Sequence, residues 1–293
     1  MLREGRIIQG RGGLYTVRDA EGQDYVLRAK NRFRYEGISP LVGDLVSFTP
    51  GQGEEHGWLE DIRPRTSVSI RPPVANITQL IITLAEEPEP DLLLVDKLLI
   101  FALEQDISVL LAVNKSDLDA SLAPRLESAY TRAGIPVLAV SATMGMGLDD
   151  LVRRMDGHIN CFAGQSGVGK STLISRLTGL ELEIGDISQK IRRGKQTTRH
   201  ISLLEAEGLK VLDTPGFSLL ELPTEIEPEH LRELYPEFAG LQQDCRFEVC
   251  LHNKEPGCAV DAASEVGGVD AGRLARYRLL LEQQQEKWSN RYA

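Results

Sequence analysis

The spacing of hydrophobic and polar positions divides the chain into three regions. Across residues 1 to about 68, short alternating runs are separated by glycine-rich turns at intervals of roughly 8 to 12 residues. Such runs predict the strands of a small β-barrel, and here they are GRIIQG, LYTVRD, DYVLRAK, GDLVSFTP and GWLEDIRP. The stretch RPPVAN at 71–76 is typical of a linker.

The second region alternates apolar strands with helices. It begins with TQLIITLA at 78–85 and continues with SVLLAVNK, IPVLAVSA, INCFAG and LKVLDT. Helical periodicity appears at about 92–105, 121–133, 147–155 and 170–179. In the third helix one apolar stripe is formed by Leu148, Leu151, Val152 and Met155. This alternation predicts a mostly parallel sheet covered on both faces.

The third region begins after about residue 222, with acidic helices, a short Cys/His cluster and an amphipathic helix at about 270–289. A chain of 293 residues is long enough for two or three domains of typical size. We therefore expect a multidomain α/β protein with domains at 1–68, 69–222 and 223–293.

Composition indicates a globular protein, with 42% hydrophobic and 26% charged residues. No apolar run approaches the roughly 18 residues of a membrane span, and MLREGRIIQGRGG lacks the apolar centre of a secretory signal, so we expect a cytoplasmic protein.

A net charge of -10 argues against nucleic acid as a partner, yet two stretches are locally basic. RAKNRFRY, expected on a strand or its loop, combines four cations with two aromatic residues, and KIRRGKQTTRH contains five cations. For either patch alone, a solvated charged face is the simpler interpretation.

The motif GQSGVGKST lies between the strand INCFAG and a predicted helix. Glycine lets backbone amides turn toward a β-phosphate, Lys170 can reach the β and γ oxygens, and the Ser171 hydroxyl can bind Mg²⁺ at the helix N-terminus. The motif in this context predicts a phosphate-binding loop. Its candidate nucleotide-binding residues are Gly164, Gln165, Ser166, Gly167, Val168, Gly169, Lys170, Ser171 and Thr172.

The tetrapeptide NKSD at 114–117 ends the strand SVLLAV and fits a guanine-reading motif. Asp117 can accept both the N1–H and the exocyclic amine of guanine, while Asn114 can meet the far edge and Lys115 can lie over the ring. Adenine offers no such pair of donors, and an unpaired buried carboxylate costs roughly 1 to 3 kcal/mol or more. At the end of the next strand, Ser141 and Ala142 of SAT can contact the guanine carbonyl.

The remaining elements of a GTPase follow the phosphate loop. DTPG at 213–216 places Asp213 where it can hold Mg²⁺ through water and Gly216 where its amide can meet the γ-phosphate. In KQTTRH we favour Thr198 over Thr197 as the Mg²⁺ ligand. The base reader precedes the phosphate loop, which indicates a circular permutation. Cutting the chain between the two halves and joining the former termini preserves every strand-end contact if those termini lay close together. The segment after DTPG then enters the third region, so nucleotide state could move that region.

Three of the four cysteines fall with one histidine inside CRFEVCLHNKEPGC. Four soft ligands in a short loop suit tetrahedral Zn²⁺ with no open position, so we expect one structural ion held by Cys245, Cys250, His252 and Cys258. A disulfide is disfavoured because three cysteines leave one unpaired and nothing indicates secretion. The fourth, Cys161, is most simply a core residue.

Together the permuted motifs NKSD, GQSGVGKST and DTPGF, the barrel and the Cys/His cluster closely resemble the circularly permuted ribosome-assembly GTPases of the RsgA/YjeQ type. The resemblance covers nearly the whole chain. It implies an OB-fold at the N-terminus, zinc at the same four positions, and GTP hydrolysis that is stimulated by the small ribosomal subunit late in its maturation. We expect a monomer bound to that subunit and its rRNA, with no membrane or DNA partner.

The group that orients the attacking water is not evident. Phe217 occupies the position after DTPG where many GTPases have a glutamine, so intrinsic turnover should be slow. The family often carries a histidine before its paired threonines, where this chain has Gln196. Our hypothesis is that the Gln196 amide orients the water; a solvated loop residue is the alternative.

Two other functions are compatible with parts of this pattern. In one, the chain is an RNA-binding assembly module whose nucleotide sets affinity while hydrolysis is incidental. In the other, it is a small-molecule phosphotransferase, which the base reader and the lack of an obvious acceptor pocket disfavour.

Overall fold

The computed structural model describes residues 2–51, 55–70, 72–180, 201–213, 221–223 and 226–291. The chain forms two compact units, each built from separate stretches of sequence. The first contains Met1–Leu80, Asp149–Phe162 and Lys170–Phe217, and the second contains Ile81–Leu148, Ala163–Gly169 and Ser218–Ala293.

A closed five-stranded barrel forms the N-terminal part of the first unit. Its strands are β1 (Arg3–Arg11), β2 (Leu14–Asp19), β3 (Asp24–Ala29), β4 (Leu45–Thr49) and β5 (Gly57–Ile62). They follow the order β1-β2-β3-β5-β4, and β4 pairs back onto β1 to close the barrel. Ile7, Val17, Leu27, Phe48 and Leu59 are fully buried. The parallel β3–β5 pair and the closure give the OB-type topology, as predicted.

Short elements follow β3 and β5. Helix α1 (Asn31–Tyr35) lies between β3 and β4, and the hairpin β6 (Val68–Ile70) and β7 (Pro73–Ala75) comes after the barrel. Two predictions are therefore corrected. The second half of RAKNRFRY is helical rather than strand or loop, because Phe33 turns inward to a buried position, and part of the predicted linker RPPVAN is paired in β7.

The rest of the first unit extends this sheet. Strand β11 (Ile159–Ala163) pairs in parallel with β13 (Leu209–Asp213), which pairs antiparallel with β12 (Ser202–Ala206). Gln9 of β1 pairs with Ser202 of β12, and Arg18 Nη1 lies 2.9 Å from Glu205 Oε2. The barrel and these strands therefore share backbone hydrogen bonding. Two helices belong to the same unit, α4 (Leu148–Met155) and α5 (Lys170–Thr178).

The second unit contains β8 (Gln79–Leu84) from Ile81 onward, β9 (Ser108–Val113) and β10 (Val137–Ala139). Their order is β10-β9-β8, and β10 runs parallel to β9. All six residues of β8 and five of the six in β9 are buried, as expected for strands covered on both faces. Helix α2 (Leu92–Leu103) connects β8 to β9, and α3 (Leu122–Tyr130) precedes β10.

The C-terminal part of the second unit packs around one aromatic and aliphatic core. It contains short 3₁₀ turns at His230–Leu234, Pro236–Phe238 and Gln242–Asp244, then α6 (Ala259–Glu265) and α7 (Ala271–Asn290). Tyr235, Phe238 and Tyr277 are almost fully buried, and their rings contact one another at centroid distances of 4.9 to 5.2 Å. Within the described ranges, no helix combines the length and apolarity needed to cross a membrane.

Candidate functional site

Asn114, the first residue of NKSD, connects three motifs that are separate in the sequence. Its side chain is 4% exposed. The Oδ1 atom accepts a hydrogen bond from Ala142 N at 3.1 Å, and Nδ2 donates to Val168 O at 2.9 Å. One amide therefore holds the base-reading loop, the SAT loop and the phosphate loop together, which is the convergence expected of neighbouring strand ends.

The two charged residues of NKSD lie in different surroundings. Lys115 has a φ of 61°, and its Nζ donates to Glu87 O at 2.8 Å. Asp117 is exposed, so its carboxylate is open to a ligand. The loop starts from a fixed position because Asn114 N donates to Leu84 O at 2.8 Å.

The SAT loop is held by hydrogen bonds of its own. Ser141 is fully buried, its N donates to Met146 O at 2.9 Å, and its Oγ accepts from Met144 N at 3.0 Å. The Ser141 side chain is thus used within the loop in this structure, and Ala142 offers its N–H to Asn114.

Two glycines of the phosphate loop are required by close backbone approach. Gly164 has a φ of 126°, and a Cβ there would lie 2.2 Å from Thr83 O. Gly169 has a φ of 92°, and a Cβ there would lie 2.3 Å from Asn114 Nδ2. Both conformations are strained for any other residue. The loop also inserts Val168 as a fully buried side chain, while Ser166 and Gly167 are exposed.

The sequence did not reveal that residues 86–91 contact two of these motifs. Gln165 Oε1 accepts from Asp91 N at 2.8 Å, and Gln165 Nε2 donates to Glu89 O at 3.0 Å. With the bond from Lys115 to Glu87 O, three backbone groups of this segment are held by the two motifs. No motif covers EEPEPD at 86–91. Because the bonds are to its backbone, they do not require particular residue types there, and the sequence could not predict them.

The predicted phosphate and Mg²⁺ residues of the first unit lie at element ends. Lys170 and Ser171 begin α5, followed by Thr172, and Asp213 ends β13. Burial lowers the pKa of Lys170 to about 8, and burial raises the pKa of Asp213. Both shifts reflect the cost of desolvating a charge, which phosphate oxygens or a cation would offset. Gln196, Thr197, Thr198, Gly216 and Phe217 lie outside the described residues.

The Cys/His residues form a compact cluster in the second unit. One ligand atom from each of Cys245, Cys250, His252 and Cys258 lies within 4.8 Å of all the others. His252 Nδ1 lies 3.7 Å from Cys245 Sγ and 3.4 Å from Cys258 Sγ. Zn–S and Zn–N bonds of about 2.3 and 2.1 Å at tetrahedral angles give ligand separations of roughly 3.6 Å. The donor set and its spacing therefore fit a closed tetrahedral metal site.

The cluster is largely buried, and helix α7 contacts the loop that carries it. Burial raises the pKa of Cys250 to about 12, and a metal ion is the cation that ionises such thiols at neutral pH. From α7, Tyr277 Oη donates to Leu251 O at 2.7 Å and Arg278 Nε donates to His252 O at 2.9 Å. The loop that carries the ligands is thus fixed to the C-terminal helix.

The basic patch of the barrel is partly neutralised by neighbouring acids. Lys30 pairs with Glu60, and Arg32 Nη2 lies 3.0 Å from Asp61 Oδ1. Tyr35 is 89% exposed, and Arg28 and Arg34 are also exposed. The patch therefore presents an aromatic ring beside cations. The second predicted patch, KIRRGKQTTRH at 190–200, lies wholly outside the described residues.

Comparison with known proteins agrees with this fold. The RsgA GTPase family model matches residues 62–223, and the RsgA N-terminal domain model matches residues 4–59. A small ribosomal subunit biogenesis GTPase RsgA from Ruminiclostridium cellulolyticum is 43% identical over 281 residues, covering 94% of this chain and 92% of the relative. One of the same name from Geobacillus sp. is 40% identical, covering 98% of this chain and 99% of the relative.

Two solved structures match over almost the whole chain. YjeQ from Thermotoga maritima superposes with a TM-score of 0.84 at 32% identity, covering 97% of this chain and 99% of that one. YloQ, described as a circularly permuted GTPase, gives 0.80 at 30% identity, covering 98% and 96%.

In the sequence, the NKSD motif precedes the phosphate loop, and both lie after the OB-type barrel and before the helical region that carries the Cys/His cluster. This order defines a circularly permuted P-loop GTPase. The chain belongs to the RsgA GTPase family.

Proposed function

We propose that this GTPase binds the small ribosomal subunit and hydrolyses GTP during its late maturation. The observation that carries the nucleotide part is the Asn114 amide, which joins the base-reading, SAT and phosphate loops in one place. The partner is inferred from relatives named small ribosomal subunit biogenesis GTPases that match over more than nine-tenths of this chain.

In this proposal the second unit selects guanine. Asp117, exposed at the edge of the loop, accepts the N1–H and the exocyclic amine of the base. Asn114 fixes the loop from behind and Lys115 lies over the ring. Ala142, at the end of the next strand, contributes a contact with the guanine carbonyl. Adenine lacks the paired donors, so binding ATP would leave the Asp117 carboxylate unsatisfied.

Phosphate binding is assigned to the loop and the start of α5. The amides of residues 164–169 and Lys170 cradle the phosphates, with Thr172 in the following turn. Ser171, Thr198 and, through water, Asp213 would hold a Mg²⁺ ion, which neutralises the developing charge. Gly216 offers an amide to the γ-phosphate, and Gln196 orients the attacking water.

The other regions are proposed to make the partner contacts. Zn²⁺ held by the Cys/His cluster shapes the C-terminal domain (223–293), and the barrel (1–68) places its aromatic and basic surface against rRNA. The GTPase domain (69–222) lies between them in sequence. We propose a cytoplasmic monomer with no DNA or membrane partner.

The decisive experiment compares the GTPase rate with and without purified small ribosomal subunits. We expect slow turnover alone and a strong increase with small subunits, but not with large subunits as the control. Equal rates in all three conditions would leave the assembly-module function, in which nucleotide only sets affinity, as the better description.

Guanine selection is tested with Asp117→Asn. The amide cannot accept two hydrogen bonds from guanine but suits xanthine, so GTP affinity should fall about 100-fold and xanthosine triphosphate should bind preferentially. Asp119→Asn is the matched control, because this exposed carboxylate accepts from Ser121 N at 2.7 Å, within its own loop. Unchanged GTP affinity in Asp117→Asn would remove the assignment.

A further inference from the structure

The side-chain amide of Gln165, in the phosphate loop, forms hydrogen bonds with the backbone of the segment 86–91. An amide can accept from an N–H and donate to a C=O at the same time, and Gln165 does both, with Asp91 N at 2.8 Å and Glu89 O at 3.0 Å. A carboxylate or an ammonium of similar length could make only one of these bonds. The phosphate loop is thereby attached to the segment 86–91.

That attachment falls at the beginning of a helix. Asp91 is the N-cap of α2, and its Oδ1 accepts from Leu94 N at 2.9 Å. Because a capped first turn is fixed relative to the rest of the helix, a change in the position of Gln165 bears on α2 as a whole.

About one turn beyond Asp91, a cluster of charged side chains joins α2 to α7. Asp96, 1% exposed, accepts from Arg273 Nη1 at 2.7 Å and from Arg276 Nε at 2.5 Å. Tyr130 Oη also donates to Asp96 Oδ1 at 3.0 Å. The Arg273 guanidinium lies between the rings of Tyr130 and Tyr235, at 4.5 and 4.9 Å from their centroids.

The final contacts run from α7 to the Cys/His cluster, through Tyr277 to Leu251 O and Arg278 to His252 O. A continuous series of hydrogen bonds therefore leads from the phosphate loop to α2, from α2 to α7, and from α7 to the metal-binding loop. Every member lies in the second unit.

We propose that Gln165 is a positioning residue, and that α2 couples the placement of the phosphate loop to α7 and the Cys/His region. This inference rests on the proposed nucleotide site. Coupling in binding is reciprocal, so contacts that shift α7 change nucleotide affinity, and bound nucleotide restrains α7.

The test uses the full-length, metal-loaded protein and a fluorescent GDP analogue. Gln165→Met keeps the length of the side chain but removes both hydrogen bonds, and should weaken GDP binding about fivefold. Arg276→Met removes an α7 cation that forms hydrogen bonds with Asp96 and Tyr130, outside all the nucleotide motifs. It should also weaken GDP binding, about threefold, and the double variant should bind more tightly than independent effects predict.

Lys287→Met is the matched control. It removes another α7 cation, which contacts Glu221 and the carbonyl of Leu222 rather than α2, and should leave GDP affinity unchanged. Hydrogen exchange provides the second measurement: GDP should slow amide exchange in α7 of the wild type, and Gln165→Met at saturating GDP should lose that protection.

Three results would overturn the proposal while leaving the nucleotide site intact: normal GDP affinity in a folded Arg276→Met variant, strictly additive effects, or equal weakening by Lys287→Met. Persistence of α7 protection in GDP-saturated Gln165→Met would also overturn it. Failure of the wild type to bind GDP would instead reject the proposed function, and this inference with it.

Discussion

Gly169 illustrates how one residue position can be set by two separate constraints. Its φ of 92° disfavours any side chain, and a Cβ would lie 2.3 Å from the Asn114 Nδ2 atom that joins the three loops. We expect Gly169→Ala to lose at least about 2 kcal/mol of unfolding free energy and most of its GDP affinity, since Asn114 must move. Denaturant unfolding and equilibrium GDP binding measure the two effects.

Gly179→Ala is the control for this prediction. Gly179 also has a positive φ, 67°, but nothing lies within 4 Å of a Cβ there. The substitution should cost about 1 kcal/mol and leave GDP binding unchanged. Similar losses of binding in both variants would show that backbone conformation, not the approach to Asn114, is responsible.

Motifs whose residue types suit a particular chemical group could be predicted from the sequence. NKSD, SAT and the phosphate loop end strands or begin a helix, and the structure brings Asn114, Ala142 and Val168 into contact. Gln165 differs, because its partners are backbone groups of residues 86–91. Only the tertiary approach of that segment to the loop creates those bonds, so no spacing in the sequence could indicate them.

At the scale of elements, α2 and α7 are joined by the ion pairs of Asp96 with Arg273 and Arg276, and Arg273 also pairs with Glu237 of the 3₁₀ turn Pro236–Phe238. Burial alone lowers the pKa of Arg273, but the carboxylates of Asp96 and Glu237 outweigh it, so the pKa is raised and the charge is retained. We expect Asp96→Asn to cost about 3 to 5 kcal/mol of unfolding free energy, because it leaves the buried Arg273 and the partly buried Arg276 with one carboxylate.

Glu4→Gln is the comparison for that prediction. Glu4 pairs with Arg63, and the two side chains are 66% and 54% exposed, so solvent screens the interaction. Its loss should cost far less unfolding free energy than the loss of Asp96. If urea denaturation gave equal costs for Glu4→Gln and Asp96→Asn, the charged cluster would not hold α2 and α7 together.

Long periodic segments were predicted more accurately than short ones. The helices expected at 92–105, 147–155, 170–179 and 270–289 are present as α2, α4, α5 and α7. By contrast, α1 has only five residues, too few for a helical period to appear, and β12 gains its place by pairing with β13 and with one residue of β1. Such short elements depend on their neighbours rather than on their own pattern.

At the scale of the whole molecule, the Cys/His cluster lies against the apolar core of the C-terminal region, to which Cys250 and Cys258 belong. We expect native mass spectrometry to find one zinc ion per chain, and Cys250→Ser to lose it. Because metal binding contributes directly to folding, unfolding free energy should fall by more than about 3 kcal/mol. Cys161→Ala, which removes a thiol far from the cluster in sequence, should retain the ion; a metal-free but equally stable Cys250→Ser would contradict a structural role.

The backbone pair between Gln9 and Ser202 joins the barrel to β12 in one sheet. Strand β12 in turn pairs with β13, which ends in Asp213. A displacement of β1 is therefore transmitted through β12 to β13, two strands away, and so to the carboxylate that we propose holds magnesium through water. The barrel and β12 are connected by this backbone pair and by the ion pair of Arg18 with Glu205, so Gln9→Pro should weaken the connection without removing it.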